Sequence, residues 1–375
     1  MSRKEVVIPF VNFKKINEKY TKEFQNVLLE LQNNAWYILG KNLENFENEY
    51  ANFSNSKYCV GVANGLDALI LSLKSLGISK GDEVIVPANT YIASWLAITH
   101  VGAKIIPVEP LYSTCNIDPD KIEEAITPRT KAVMAVNLYG QAAELDRINY
   151  ICNKYNLFLV EDNAQSQGAK CDDKMTGTYG IVNATSFYPG KNLGALGDAG
   201  AVTTNDIQIS MIIKTLRNYG SNLKYYNEYI GFNSRLDELQ AGFLSLKLKD
   251  LEEMNKKRQI AASDYTEQLS NIEQIQLPEV AKNCTSVFHI YQIRIQNRDK
   301  LQKFLFDNGI STMVHYPVPP HLQKAYKSLG FKKGDFPISE KNSDTTLSLP
   351  MDPFIEKGQV DYICDTIKNF LNINK

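Results

Sequence analysis

The chain has 375 residues, 43% of them hydrophobic and 22% charged, and its 41 Lys and Arg against 42 Asp and Glu give a formal net charge of -1. That length can bury a large core, and the balanced charge leaves no electrostatic footprint for nucleic acid or another polyanion. The six cysteines (Cys59, Cys115, Cys152, Cys171, Cys284 and Cys364) are scattered without a Cys-x-x-Cys pair, so they read as reduced thiols and suggest neither a zinc site nor a disulfide framework. In chain order, Met1-Ser-Arg-Lys-Glu5 leads through a short apolar patch into charged helix. The first helix is expected after the cap candidate Thr21, and Gly40 introduces another helical stretch before a strand near Tyr58. Strands then alternate with helical patterns, at Glu83 to Pro87, Lys104 to Val108, Lys131 to Val136 and Leu157 to Glu161. A long helix is expected from about Arg235 to beyond Arg258, followed by Val287 to Ile295 as a half-exposed strand. The alternation predicts an α/β fold: a large, mostly parallel sheet domain at 1–250 with an N-terminal helical segment, then a small α+β domain at 251–375. No run reaches the apolar length of a membrane span, and no repeat or low-complexity segment appears, so a cytoplasmic protein is expected.

The stretch Ser186-Phe-Tyr-Pro-Gly-Lys191-Asn-Leu-Gly-Ala-Leu-Gly-Asp-Ala-Gly200 sets one lysine in a glycine-rich loop downstream of Glu161-Asp162-Asn163-Ala164-Gln165. A lysine and an upstream aspartate in that order suggest pyridoxal phosphate chemistry. The lysine can form a Schiff base with the cofactor aldehyde, and the aspartate can keep the pyridine nitrogen protonated so that the ring draws in electrons. Asn156 to Asp162 reads as a buried strand that delivers Asp162 at its carboxyl end, where ligand sites of open α/β sheets lie. Upstream, the strand from Tyr58, the turn at Asn64-Gly65 and the apolar helix beyond Leu66 and Asp67 would offer free backbone amides to a phosphate. The same strand, turn and helix occurs in many proteins with nothing bound there.

The glycine turn, Pro87-Ala-Asn-Thr-Tyr91, Glu161 to Gln165, Ser186 to Lys191, and Gly231-Phe-Asn233-Ser-Arg235-Leu-Asp-Glu-Leu-Gln-Ala241 follow one another in the order of known motifs. They resemble the nucleotide-sugar aminotransferases of the DegT/DnrJ/EryC1/StrS family over essentially the whole chain. The resemblance implies the fold-type I architecture of pyridoxal phosphate transferases, like that of aspartate aminotransferase. It implies that Lys191 carries the cofactor and moves the proton, that Asp162 pairs with the pyridinium, that Tyr91 lies against the ring, and that Gln165 points at its phenolic oxygen. Ser186 and the backbone amides of Leu66 and Asp67, after Gly65, would hold the phosphate. Asn233 would come from the second subunit, making a homodimer with shared active sites. Tyr188, His315, Tyr316 and His321 are candidates for touching the sugar nucleotide. The four histidines show no metal-ligand spacing, and no metal is expected.

Many family members carry a small hydroxyl residue after the glycine of the phosphate turn, whereas this chain has Leu66 and then Asp67. Asp67 would repel a phosphate, so its side chain is expected to cap the helix or face solvent. A Gly-Leu-Asp turn, with His315-Tyr-Pro-Val-Pro-Pro-His321, resembles the branch acting on 3-keto sugars. The resemblance thus implies amino transfer from L-glutamate to C-3 of a dTDP-3-keto-6-deoxyhexose. Three alternatives stay open: transfer at C-4, a dehydratase, and a catalytically silent regulatory protein. Lys191 argues against the second, because the family's dehydratases carry histidine there.

Overall fold

The computed structural model describes residues 8–373, so the expectation for Met1 to Glu5 lies outside the described residues. Helices α1 (Phe13–Glu18), α2 (Thr21–Asn34) and α3 (Lys41–Ser54) precede strand β1 (Tyr58–Val62) and α4 (Gly65–Ser75). Next come β2 (Glu83–Pro87), α5 (Ile92–His100), β3 (Lys104–Val108), α6 (Pro119–Ala125), β4 (Thr130–Val136), α7 (Leu145–Lys154) and β5 (Phe158–Asp162). A small hairpin, β6 (Lys170–Cys171) and β7 (Lys174–Met175), leads to β8 (Val182–Ser186), β9 (Gly200–Thr204) and α8 (Ile207–Leu216). A second hairpin, β10 (Ser221–Leu223) and β11 (Tyr226–Asn227), comes before α9 (Glu238–Leu248) and α10 (Leu251–Leu269). The chain closes with β12 (Ile275–Gln276), β13 (Tyr291–Ile295), α11 (Arg298–Asp307), α12 (Pro337–Thr345), β14 (Thr346–Leu349) and α13 (Lys357–Ile373).

Seven strands form one sheet in the order β1-β9-β8-β5-β4-β2-β3, with only β9 running against its neighbours. Alternate residues of a strand face opposite sides, and here both sides are covered. Val84 and Val86 of β2 join one core with Trp95, Leu69 and Leu73, while Ile85 joins another with Val133, Leu159 and Ile148. A separate three-stranded sheet, β12-β13-β14, packs with α10, α11 and α13 around Tyr265, Tyr291, Ile293, Leu347 and Ile363. Among the described residues, no helix is long and apolar enough to cross a membrane.

Several expectations need correction. Thr21 does not cap the first helix: Tyr20 holds the N-cap position of α2, the Thr21 hydroxyl donates to the Glu18 carbonyl, and α1 comes earlier in the chain. The long helix from Arg235 is two helices. The Asp250 amide bonds back three residues to the Lys247 carbonyl, interrupting the four-residue ladder, and the Asp250 carboxylate accepts from the Tyr20 hydroxyl. Val287 to Ile295 is not half-exposed, for its strand starts at Tyr291 and is buried throughout. Tyr265 stacks on Tyr291 at 4.9 Å, and Arg294 packs over the Tyr112 ring and donates to the Ser113 carbonyl. The cysteines are not all free, since Cys171 and Cys284 form a disulfide while the other four are buried thiols. An antiparallel bridge between two segments 113 residues apart sets their Cα atoms 4.0 Å from each other, a neighbourhood that local spacing does not encode.

Candidate active site

The parallel strands end on one edge of the sheet. Register pairs Val136 with Asp162 and Asp162 with Ala184, so the ends of β4, β5 and β8 lie side by side. From those ends run the loops to Tyr139, Gln165 and Lys191, and across the sheet β1 turns directly into α4. Topology therefore gathers segments more than a hundred residues apart, as the carboxyl ends of an open α/β sheet do.

Asp162 is buried, and its carboxylate accepts from the Ser94 hydroxyl at 2.9 Å and the Ala164 amide at 3.2 Å. Burial raises its pKa, opposed by those two donors and by the charge of Lys191. No cation forms an ion pair with it among the described residues. A buried carboxylate without a cation is expensive to keep charged, and a pyridinium nitrogen would complete it. Lys191 is half-buried. Burial lowers its pKa from 10.5 to about 8, with Asp162 pulling the other way.

At the start of α4 the Asn64 side chain accepts from the Asp67 amide at 2.8 Å. Of the two expectations for the Asp67 side chain, cap or solvent, the cap falls to Asn64, and the Asp67 amide is engaged with it. The amides of Gly65 and Leu66 head the same turn, where the helix dipole favours an anion. Ser186 comes so close that a Cβ at Gly65 would lie 2.6 Å from the serine Cβ, so only glycine fits this cradle. The Ser186 hydroxyl accepts from the Tyr188 amide at 3.3 Å and keeps its own hydrogen to donate. A lowered lysine, an uncompensated carboxylate and an amide-and-hydroxyl cradle fit the aldehyde, the ring nitrogen and the phosphate of pyridoxal phosphate.

The remaining expected residues divide. Tyr91 is 53% exposed, and its ring lies 5.1 Å from that of Tyr316. Gln165 accepts from the Tyr139 amide at 2.7 Å and donates to the Tyr316 hydroxyl at 3.0 Å. His315 shares this neighbourhood, since its carbonyl accepts from the Tyr139 hydroxyl, and burial and the Lys191 charge push its pKa down to about 4. Tyr188 is exposed on the Lys191 loop. His321 is not gathered with them. It is buried, takes part in a 3.0 Å hydrogen bond with Glu340 and meets the edge of Phe336. Asn233 is exposed and bridged to Asn218. Ser94, Tyr139, Asn192 and His289 were not found from sequence. Ser94 follows Tyr91, the N-cap residue of α5, by three residues and its amide bonds to the Tyr91 carbonyl; the others carry no local signal.

Fold and site together define an α/β transferase of the pyridoxal phosphate type. The DegT/DnrJ/EryC1/StrS aminotransferase family model matches residues 18–368, and the chain belongs to this family. It is 47% identical, over 97% of its length and 99% of the relative's, to a dTDP-3-amino-3,6-dideoxy-alpha-D-galactopyranose transaminase of Aneurinibacillus thermoaerophilus. A dTDP-3-amino-3,4,6-trideoxy-alpha-D-glucose transaminase of Streptomyces venezuelae is 41% identical over 97% of this chain and 96% of its own. The crystal structure of S. venezuelae DesV in complex with a ketimine intermediate superposes with a TM-score of 0.95, at 41% identity, over 97% of this chain and 98% of that one.

Proposed function

We propose that this chain moves an amino group from L-glutamate to C-3 of a dTDP-3-keto-6-deoxyhexose, giving a dTDP-3-amino-3,6-dideoxyhexose. The observation that carries the chemistry is the buried, uncompensated Asp162 beside a lysine whose pKa is lowered to about 8. The C-3 position and the dTDP sugar rest on the two transaminases that match over 97% of the chain. When bound, pyridoxal phosphate supplies an aldehyde that takes up the donor nitrogen and a ring that draws in electrons.

The residues divide the work. With a pKa of about 8, about one Lys191 amine in ten is uncharged at pH 7 and ready to attack. Once released, the amine takes the proton from the α-carbon of glutamate and, in the return half, delivers one to C-3 of the sugar. Asp162, held by Ser94 and the Ala164 amide, opposes the positive ring nitrogen, which is electrostatic preorganisation and not proton transfer. Gly65, Leu66 and Ser186 hold the phosphate. Tyr91 and Gln165 address the ring, and Tyr188, His315 and Tyr316 face the sugar nucleotide.

The reading includes a homodimer. Asn233 sits in a broad exposed apolar surface: Ile230 is 95% exposed, Tyr225 85%, Tyr226 68% and Trp36 64%. Bridges from Ile38 to Asp237 and from Asn218 to Asn233 join these segments. Surface of that kind marks a protein interface, and a second copy that takes Asn233 into its own site would cover it. The division at 1–250 and 251–375 belongs to the reading too, supported by the separate seven-stranded and three-stranded sheets. So does a cytoplasmic location.

A single turnover tests the substrate. The enzyme is loaded with nitrogen by L-glutamate, the donor is removed, and 3-keto or 4-keto dTDP-6-deoxysugar is added separately while the cofactor spectrum is followed. Discharge by the 3-keto sugar alone is expected. Discharge by the 4-keto sugar alone overturns the C-3 assignment, and discharge by neither overturns the substrate.

A further inference from the structure

Asn192, next to the candidate lysine, spends both of its amide hydrogens. Its Nδ2 donates to Asn255 Oδ1 on α10 at 2.8 Å and to the Val287 carbonyl at 3.0 Å. The carbonyl accepts only, which fixes the amide with nitrogen towards Val287 and Oδ1 towards His289 Nδ1, 3.2 Å away. An amide oxygen cannot donate, so His289 must carry its hydrogen on Nδ1 and its lone pair on Nε2. The imidazole stays neutral in that tautomer, since burial, then Lys191, Arg258 and His315, hold its pKa well below 6.5.

The histidine cannot easily move. Val287 donates its amide to the Gly140 carbonyl and Ile290 to the Tyr139 carbonyl, so the segment between them lies against the loop after β4. A Cβ at Gly140 would come within 2.7 Å of the backbone nitrogen of His289, and Gly140 itself is at φ 112°. On its other side Asn255 donates to the Gln167 carbonyl at 2.9 Å, and Gln167 donates to the Ser186 carbonyl at 2.7 Å. The bonds run unbroken from the strand end at Ser186, through α10, to the residue that follows Lys191.

We propose that His289 is a positioning residue for Lys191: by donating from Nδ1 to Asn192 it pins the lysine loop to α10 and to Val287, and so keeps the lysine amine half-buried opposite Asp162. The inference rests on the proposed aminotransferase reading for its catalytic consequence, but not for the geometry.

The test compares His289→Asn, which keeps a donor near the Nδ1 position, with His289→Gln and His289→Phe, which do not. Acylation of Lys191 in the full unloaded chain is followed against pH by peptide mass, with Asp162, His289 and His315 as the titratable groups facing the amine. In wild type the midpoint should fall at about pH 8. His289→Gln and His289→Phe should move it up towards 10.5, because a loosened loop lets water reach the amine. In the loaded enzyme they should lower kcat by at least about tenfold with the donor KM little changed, the cost of a displaced reacting group. His289→Asn should restore both. An unchanged midpoint in His289→Gln, or an Asn variant as impaired as the Gln one, overturns the proposal. If His289→Phe does not fold, the Asn and Gln pair decides. Failure of amino transfer in wild type would overturn the functional reading alone, for the labelling midpoint does not depend on it.

Discussion

At the scale of single residues, the lysine amine is the group that physics has altered most usefully. Removing water from around an ammonium favours the neutral amine, and here that effect outweighs the attraction of Asp162, leaving the pKa at about 8 instead of 10.5. Cofactor capture by the unloaded chain should therefore accelerate about tenfold per pH unit up to about pH 8 and level off above it. Stopped-flow absorbance over pH 6 to 10 would check this, and a rate still climbing towards pH 10.5 would contradict the lowered value. The sign for stability follows. The unfolded lysine binds a proton up to a higher pH than the folded one, so this group makes the fold more stable as pH rises from about 8 to 10.5 and less stable below. Sequence made Lys191 and Asp162 visible because Asp162 ends a strand and Lys191 lies in the glycine-rich loop after a later one, in a recognisable order. It hid Ser94 and His289, whose importance comes entirely from what they face.

At the scale of elements, long-range side chains cap the helices. Buried Glu238 accepts from the amides of Gly40, Asn42 and Leu43 and so closes the start of α3 from a point almost two hundred residues away. Glu109, at the end of β3, does the same for α12 through Ile338 and Ser339. Both carboxylates answer unpaired amides and the positive end of a helix dipole. Gly40 could be read as a helix start, but its capping partner could not. The disulfide belongs to this scale as well, tying the β6-β7 hairpin to the segment before β13. Alkylating the unfolded, unreduced chain, trapped at lysis, should label Cys59, Cys115, Cys152 and Cys364 and spare Cys171 and Cys284. Labelling at all six, counted by mass, would mean that the pair is reduced where the protein resides, as reducing compartments favour.

For the whole molecule, the exposed surface around Asn233 carries the expectation. Asn233 is exposed and bridged to Asn218, and on the proposed dimer reading its effect on the cofactor comes through a second copy. Asn233→Ala should weaken cofactor retention about tenfold, the worth of one hydrogen bond to a charged group. Equilibrium dialysis of the protein would measure it, and wild-type retention in the variant would rule out the shared site.

By itself the sequence determined the parallel sheet, because apolar runs bounded by turn residues recur at the period of strands and helices. Thus Glu83–Pro87 and Lys104–Val108 lie where they were expected. It also singled out the lysine, the aspartate and the glycine turn as candidates, since each chemistry needs a particular side chain near a strand or helix end. Tertiary structure alone decided that His321 turns to Glu340 and that Cys171 meets Cys284. Those outcomes depend on contacts between distant segments, which are fixed by the packing of the sheet and its helices and leave no trace in local spacing.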